Sequence, residues 1–116
     1  MINSDMMRHV LLLGIEDFSG LWEVIWEFHT RYPDLGEEAA NASALEAVMA
    51  LLGRGYVRLH RCREPYGEML EIAAEEQRAL IVNPANWEPP ASGTLSIRFE
   101  TTPAGEVAYR TLESLT

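Results

Sequence analysis

The chain has 116 residues, of which 47% are hydrophobic, 9% aromatic and 23% charged. This apolar share excludes a disordered chain, and the length suits one domain that buries about two thirds of its unfolded surface. Eighteen acidic residues against nine arginines, with no lysine, give a net charge of −9. A surface this negative repels phosphate backbones and anionic membranes.

The cytoplasm is the compartment that the sequence favours. Unbroken apolar runs such as Val10–Leu13 are too short to cross a bilayer, and Asp5 stands where a secretory signal would be positively charged. The single cysteine, Cys62, excludes an internal disulfide. We therefore expect one cytoplasmic domain over residues 1–116 that does not enter a membrane.

The N-terminal residues 1–14 fit two interpretations. Asp5 can cap a short helix that Gly14 ends, or the apolar run from His9 to Leu13 can form a buried strand. A run this short shows no periodicity that separates the two, and we favour the helix.

The second helix is clearer, because large apolar residues recur at helical spacing on one face: Phe18, Leu21, Trp22, Ile25 and Trp26. We expect this stripe to pack in the core rather than to bind a cofactor. Asp17 or Ser19 can cap the helix, which must end before Pro33.

The segment Pro33–Ala42 is small and acidic, and it predicts one or two short helical turns. Ser43 and Glu46 then match a capping box, which predicts a new helix. Its apolar stripe is Leu45, Val48, Met49 and Leu52. Gly53 or Gly55 can end this helix in the left-handed conformation.

Two strands are predicted by alternation, Tyr56–Arg61 with Val57 and Leu59 inward, and Leu95–Phe99 with Leu95, Ile97 and Phe99 inward. The segment between them opens with a turn at 64–67, holds a short helix over Ala73–Ile81 and closes with a loop at 88–93, and we expect Trp87 to fold back onto the core. Thr102 caps a last helix with Pro103 at its first position. The apolar side of that helix is Ala104, Val107, Ala108, Leu112 and Leu115.

Two segments carry a resemblance to a known fold. LEAVMALLGRGYVRLHR (Leu45–Arg61) resembles the third helix of a winged-helix domain as it enters the first wing strand. FETTPAGEVAY (Phe99–Tyr109) resembles the second wing strand of MarR-like and PadR-like regulators, which leads through Thr-Pro-x-Gly into a helix. The chain is also similar to small uncharacterised actinobacterial proteins, a resemblance that implies no activity.

The resemblance implies an α+β fold, a winged helix-turn-helix with an enlarged wing that contains a short helix. The wing insertion covers about residues 63–93, and the second helix, between Pro33 and Ser43, is short and acidic. The helix that would lie in the major groove, Ala44–Leu52, has no basic residue and carries Glu46. Base reading relies on Arg, Lys, Asn or Gln there, so the sequence disfavours nucleic acid as a partner.

Basic residues concentrate in one place, at Arg54, Arg58, His60, Arg61 and Arg63. They can contact phosphate or a partner from the wing. Alternatively the arginines pair with nearby acids, for which the candidates are Glu64, Glu68, Glu71 and Glu100. Strand alternation favours pairing, because Arg58 and His60 share one face while Arg61 and Arg63 lie on the other.

Neither metal binding nor catalysis finds a matching motif. His60 and Cys62 with Glu64 and Glu68 supply metal-ligand types, but without the paired spacing of a zinc site. Cys62 as a nucleophile has only His60 as a neighbouring base. A Gly-rich phosphate loop, a serine nucleophile elbow and a His-Glu-x-x-His motif are all absent from the sequence. We expect no enzyme activity, no cofactor and no metal.

The function predicted is therefore a non-catalytic winged-helix binding module whose partner is a protein. Self-association into a homodimer through Leu112 and Leu115 of the last helix is one form of such binding. The alternative is a DNA-binding transcriptional regulator of MarR-like or PadR-like type, in which Arg54, Arg58, Arg61 and Arg63 contact phosphates. The fold does not choose between the two, since winged helices serve both.

Overall fold

The computed structural model describes residues 3–64, 67–91 and 93–115. In this part the chain is an α+β protein with five α-helices, two short 3₁₀ segments and a four-stranded antiparallel sheet. The helices are α1 (Ser4–Glu16), α2 (Leu21–Arg31), α3 (Glu37–Gly53), α4 (Ala74–Ile81) and α5 (Pro103–Leu115). The strands are β1 (Ser19–Gly20), β2 (Val57–Arg63), β3 (Met69–Glu71) and β4 (Leu95–Thr101). None of the helices described is both long and apolar enough to cross a membrane.

Helix α1 confirms the helical interpretation of the N-terminal segment. Its cap is Asn3 rather than Asp5, because the Asn3 side chain accepts a hydrogen bond of 2.8 Å from the backbone N–H of Met6. The helix continues through Gly14 to Glu16 instead of ending at Gly14.

Helix α2 carries the predicted aromatic face, but part of that face is solvent-exposed. Trp22 is 7% exposed, and three other residues of the helix are fully buried: Leu21, Val24 and Phe28. Trp26 is 55% exposed. The prediction that the whole stripe is core is therefore wrong for Trp26.

The two ends of α2 have different physical causes. Gly20 precedes the helix, and its N–H donates to the Glu23 carboxylate at 2.5 Å, which satisfies one free donor of the first turn. Asp17 and Ser19, the predicted caps, do not cap it, and Ser19 belongs to β1. As predicted, the helix ends before Pro33.

One continuous helix, α3, replaces the two elements predicted between Pro33 and Gly53. A 3₁₀ turn over Pro33–Leu35 leads directly into α3, so Ser43 lies inside the helix and is buried. The prediction of a capping box at Ser43 and Glu46 is therefore wrong, and so is the separate short helix before it. Gly55 has a φ of 72°, the left-handed conformation predicted for the end of this helix.

The sheet has the strand order β1–β4–β2–β3. Strands β2 and β4 pair along their whole length, from Val57 opposite Thr101 to Arg63 opposite Leu95. Strand β3 extends the outer edge of β2, and β1 adds two residues beside β4. Strands as short as β1 and β3 carry too little alternation to be predicted from sequence.

Both faces of the central strands are buried. Leu59, Ile97 and Phe99 point into the core shared with α1, α2 and α3. On the opposite face of β4, Ser96 and Arg98 are also buried. The predicted alternation holds for Ile97 and Phe99 but is wrong for Leu95, which is 55% exposed at the start of the strand.

The segment between β2 and β4 contains β3, α4 and a 3₁₀ turn over Pro84–Trp87. Helix α4 confirms the short helix predicted there. Trp87 folds back as predicted, since it is 8% exposed and its indole N–H donates to the Ile81 carbonyl at 2.7 Å. Three residues of the predicted turn and loop lie outside the described ranges: Pro65, Tyr66 and Ser92.

Helix α5 begins as predicted, with Pro103 at its first position and Thr102 as its cap. The Thr102 hydroxyl accepts from the N–H of Gly105 at 3.1 Å and donates to the carbonyl of Gly55 at 2.7 Å. The first turn of α5 is therefore anchored to the loop that joins α3 to β2.

The predicted apolar side of α5 is only partly covered. Ala108 and Leu112 are half-buried against the core, whereas Val107 is 56% exposed. The side chain of Leu115 lies outside the described part of the chain. An apolar strip of α5 is thus open to solvent beside α1.

Candidate functional site

The residues predicted as a phosphate or partner contact are distributed over three places: Arg54, Arg58, His60, Arg61 and Arg63. Arg54 caps the C-terminus of α3. Strand β2 carries the other four, and its alternation separates Arg58 and His60 from Arg61 and Arg63, as predicted.

Arg58 and His60 both lie beside the Glu100 carboxylate. The Arg58 Nε is 3.3 Å from Oε1 of Glu100, and its Nη1 is 4.0 Å from Oε1 of Glu71. His60 Nε2 is also 3.3 Å from Oε1 of Glu100. The His60 ring is 7% exposed and packs edge-on against Phe18, with ring centroids 5.1 Å apart. Burial removes His60 from the surface that a phosphate could reach.

The remaining arginines differ in their partners. Arg61 Nη1 is 3.7 Å from Oε2 of Glu76, and Arg63 Nη1 donates to the Gly93 carbonyl at 2.9 Å. Arg54 is exposed, with Nη1 3.9 Å from Sδ of Met7. Among the described residues no carboxylate lies within ion-pair distance of Arg54, which makes it the most available cation of the five.

Cys62 is fully buried, with Sγ 3.6 and 3.8 Å from the carbonyl oxygens of Arg63 and Gly67. A thiol enclosed in this way is not presented to a substrate. Within the ranges that the structure describes, no three His, Cys, Asp or Glu side chains converge as metal ligands would.

A buried ion pair that the sequence does not predict spans β4 and the end of β2. Nε and Nη2 of Arg98 lie 2.9 and 2.8 Å from Oε1 of Glu64, and their side chains are 9% and 10% exposed. The Ser96 hydroxyl donates to the same oxygen at 2.6 Å. Arg98 Nη1 donates to the Phe18 carbonyl at 2.8 Å, and the Trp22 ring covers the guanidinium at 5.0 Å. The chain itself encloses this cation.

A polar cluster joins α1 to the end of α2, and the sequence does not predict it either. The Tyr32 hydroxyl donates to the Asp5 carboxylate. His9 is 8% exposed, with Nε2 3.5 Å from Asp5 and Nδ1 3.7 Å from Glu27. Arg31 Nε contacts the same Glu27 carboxylate at 2.5 Å. The polar groups of the cluster contact one another. They therefore join α1 to the end of α2 and do not present a free base to a substrate.

The cluster changes the acid–base behaviour of its members. Burial lowers the pKa of His9 below its usual range, and the Arg31 guanidinium adds to this effect. The hydrogen bond from Tyr32 lowers the pKa of Asp5. Burial, together with the same bond, raises the pKa of the Tyr32 hydroxyl.

Acidification from about pH 7.5 to about pH 5.5 is expected to destabilise the protein through His9, since imidazoles titrate in this range. A folded pKa below the unfolded one means that the unfolded chain binds more protons, so stability falls as the pH drops through the unfolded pKa. Asp5 stays ionised in this window, because its pKa is lowered. Because His9 exchanges one proton, the free energy of unfolding changes through it by at most about 1.4 kcal/mol per pH unit.

Urea unfolding at several pH values measures this effect. The His9→Gln variant is expected to lose less free energy of unfolding than the parent across the same window. Equal pH slopes for parent and variant would show that His9 is not the titrating group.

The surface of α3 carries carboxylates and no cation. Its exposed charged residues are Glu37, Glu38 and Glu46, and its 17 residues include no Arg, Lys or His. The longer helix adds one amide, Asn41, to the predicted reading segment, and its Oδ1 lies 3.1 Å from Nε2 of His29. The lack of positive charge predicted for Ala44–Leu52 thus extends over the whole helix.

Two open apolar grooves flank this helix. The first, of about 570 Å³, lies between α1, the end of α3 and α5. Met7, Leu51, Tyr56 and Val107 line it, and Arg54 is the one charged residue among its described lining residues. The second, of about 550 Å³, lies between α2, α3 and the 3₁₀ turn before Glu88; we call it the tryptophan groove, because Trp22, Trp26 and Trp87 all line it. The sequence gives no signal for this groove, since two of its tryptophans lie in the stripe predicted as core.

The chain matches no known protein-family model, no curated protein and no solved structure.

Proposed function

We propose that this chain is a winged-helix domain that acts as a non-catalytic protein-binding module. The order α1, β1, α2, α3, β2, β4 supports the winged-helix assignment, because a third helix leads into the first of two paired strands. The 3₁₀ turn between α2 and α3 stands where a helix-turn-helix has its turn. The segment between β2 and β4 is then the enlarged wing, with α4 inside it.

The charge of α3 is the observation that carries the choice of partner. In a helix-turn-helix domain the third helix enters the major groove, and cations near it position the protein on phosphates. Helix α3 instead exposes Glu37, Glu38 and Glu46 in a chain of net charge −9. Bringing these carboxylates against a duplex opposes binding, whereas a protein surface has no such uniform charge.

DNA binding remains the second candidate, and Arg54 is the observation that favours it. This residue is exposed at the end of α3 and has no carboxylate partner among the described residues. Arg63 lies on the wing strand with its guanidinium bonded to one carbonyl oxygen. Both are available to contact phosphates in that case.

Fluorescence anisotropy with a labelled random duplex separates the two candidates. We expect no saturable binding at low salt. Binding through Arg54 and Arg63 would instead weaken by about tenfold between roughly 50 and 200 mM salt, following the counterion slope of about −0.9 per phosphate. Such a salt-dependent complex, lost in an Arg54→Glu variant, would overturn the proposal.

A display library of short random peptides supplies the positive test. We expect selection on the purified chain to enrich peptides whose synthetic copies bind with micromolar dissociation constants. A selection that enriches no binding peptide would count against a protein-binding module. Sedimentation velocity on the same sample reports whether the chain also self-associates, for which the exposed strip of α5 around Val107 is the expected contact.

A further inference from the structure

The tryptophan groove brings together all three tryptophans of the chain. Trp22 and Trp26 come from successive turns of α2, and Trp87 comes from the far side of the groove, at the end of the second 3₁₀ turn. Trp87 is more than 60 positions away from both in the sequence. Only the fold places them around one opening.

Two of the three rings are held in place, which makes the groove preformed. The Trp87 indole N–H donates to the Ile81 carbonyl at 2.7 Å. The Trp22 ring packs against the Arg98 guanidinium at 5.0 Å. Both rings are more than nine-tenths buried. A preformed apolar cleft loses little conformational freedom when it is filled.

The groove also exposes large apolar side chains that no described residue covers. Trp26 is 55% exposed, and Val82, which also lines the groove, is 58% exposed. Tryptophan is the residue most enriched among those that dominate binding energies at protein interfaces. An exposed tryptophan beside a second exposed apolar residue is therefore a surface suited to a partner.

Charge identifies the kind of partner. The charged residues among those that line the groove are Glu37, at the start of α3, and Glu88, and both are exposed. No arginine or histidine lines it among the described residues. Carboxylates at the rim of an aromatic cleft attract cations, and a guanidinium or ammonium group is further stabilised over the face of an indole ring.

We infer that the tryptophan groove binds a peptide segment of a partner protein in which arginine or lysine side chains flank an apolar anchor. The apolar anchor fills the cleft beside Trp26 and Val82, and the cations lie against Glu37, Glu88 and the exposed indole. This inference rests on the proposed function, since it names the surface and the partner class of the same protein-binding module.

A second copy of this chain is a poorer occupant. Each copy carries a net charge of −9, so two copies repel each other. Most of its arginines already contact its own oxygens, as Arg58, Arg61 and Arg98 do. The first groove does not fit a basic segment, because the charge that its described lining residues carry is that of Arg54.

A fluorescein-labelled peptide of alternating leucine and arginine is the probe, and anisotropy is the readout. We expect it to bind the full chain with a micromolar dissociation constant. A matched peptide with glutamate for arginine, and one with serine for leucine, are each expected to bind at least tenfold more weakly, which separates the charge from the apolar anchor.

Substitutions in and outside the groove test whether the leucine–arginine peptide binds there. Trp26→Ala is expected to weaken binding of the leucine–arginine peptide at least tenfold, whereas Leu95→Ala, at an exposed apolar residue outside the groove, leaves binding unchanged. The double variant Glu37→Gln, Glu88→Gln is expected to weaken it several-fold at low salt. Its control is Glu46→Gln, Glu75→Gln, which removes the same charge from exposed sites elsewhere on the surface. Equal loss in both double variants would overturn the inference, because it would show attraction to net charge alone.

The outcomes also separate this inference from the proposed function. If peptides from the random library bind but the leucine–arginine peptide does not, or if Trp26→Ala leaves its binding unchanged, the groove assignment is wrong and the binding module stands. If no library peptide binds and the duplex does, the proposed function itself is wrong. If the leucine–arginine peptide binds the parent chain and the control variants but not the groove variants, the result supports both the groove assignment and the proposed function.

Discussion

The Glu64→Leu variant is expected to lose about 3–5 kcal/mol of unfolding free energy, the range measured when one partner of a buried ion pair is removed. The substitution removes the carboxylate that the buried Arg98 guanidinium contacts at 2.8 and 2.9 Å. Arginine cannot shed its charge at accessible pH, so it cannot relieve the cost by deprotonating, as a buried carboxylate would by taking up a proton. The backbone bonds of Glu64 with Gly93 and Thr94 do not depend on its side chain.

Urea unfolding of three variants tests this account. The double variant Glu64→Leu, Arg98→Met removes both charges and is expected to recover much of the loss, since apolar replacements of buried pairs are often neutral. Glu76→Gln breaks the exposed contact with Arg61 and is expected to cost less than about 1 kcal/mol. A Glu64→Leu variant within that same limit would show that the pair does not hold the sheet together.

Long-range pairs of this kind lie beyond sequence reasoning. Glu64 and Arg98 are 34 positions apart, and the pattern around each describes only its own strand. Alternation in β4 predicts that Arg98 points away from the core, which it does. It gives no signal that Trp22 and the Phe18 carbonyl cover that other face. Periodicity reports the direction of a side chain and not what lies in that direction.

The apolar stripe of α2 shows the same limit on what can be predicted from sequence. Trp22 and Trp26 are four residues apart on one helical face, yet one is 7% and the other 55% exposed. Spacing places both on the same side of the helix. How far the neighbouring elements extend along that side decides which of them is covered. The groove that Trp26 lines is for this reason a property of the tertiary structure alone.

The wrong capping box at Ser43 has a local cause. A serine followed three residues later by glutamate is a start signal only when the preceding residues leave the helix. Glu37–Ala42 is composed mostly of strong helix formers, and the helix begins six positions earlier, at Glu37. The predicted start of α5 is correct because Pro103 cannot continue a helix from upstream, so Thr102 must be the cap.

Gly105→Ala is expected to destabilise the protein by about 1–3 kcal/mol, the usual cost of inserting atoms into a packed site. Alanine inside a helix is normally better than glycine by about 1 kcal/mol, so the sign here is reversed. A Cβ at position 105 would collide with the carbonyl oxygen of Tyr56 and lie 2.6 Å from Cγ2 of Thr101. That carbonyl accepts the Thr102 N–H at 2.9 Å, so it cannot move without loosening the start of α5.

Gly53→Ala is the matched control. Gly53 is the last residue of α3, its φ is not positive, and a Cβ there meets nothing within 4 Å. Alanine at this position is expected to stabilise the protein by about 0.5–1 kcal/mol, since it only reduces the freedom of the unfolded chain. Thermal unfolding of the two variants should therefore shift in opposite directions. A Gly105→Ala variant that melts at or above the parent would mean that α5 is not seated on the Tyr56 carbonyl, and the open strip around Val107 would lose its fixed position beside α1.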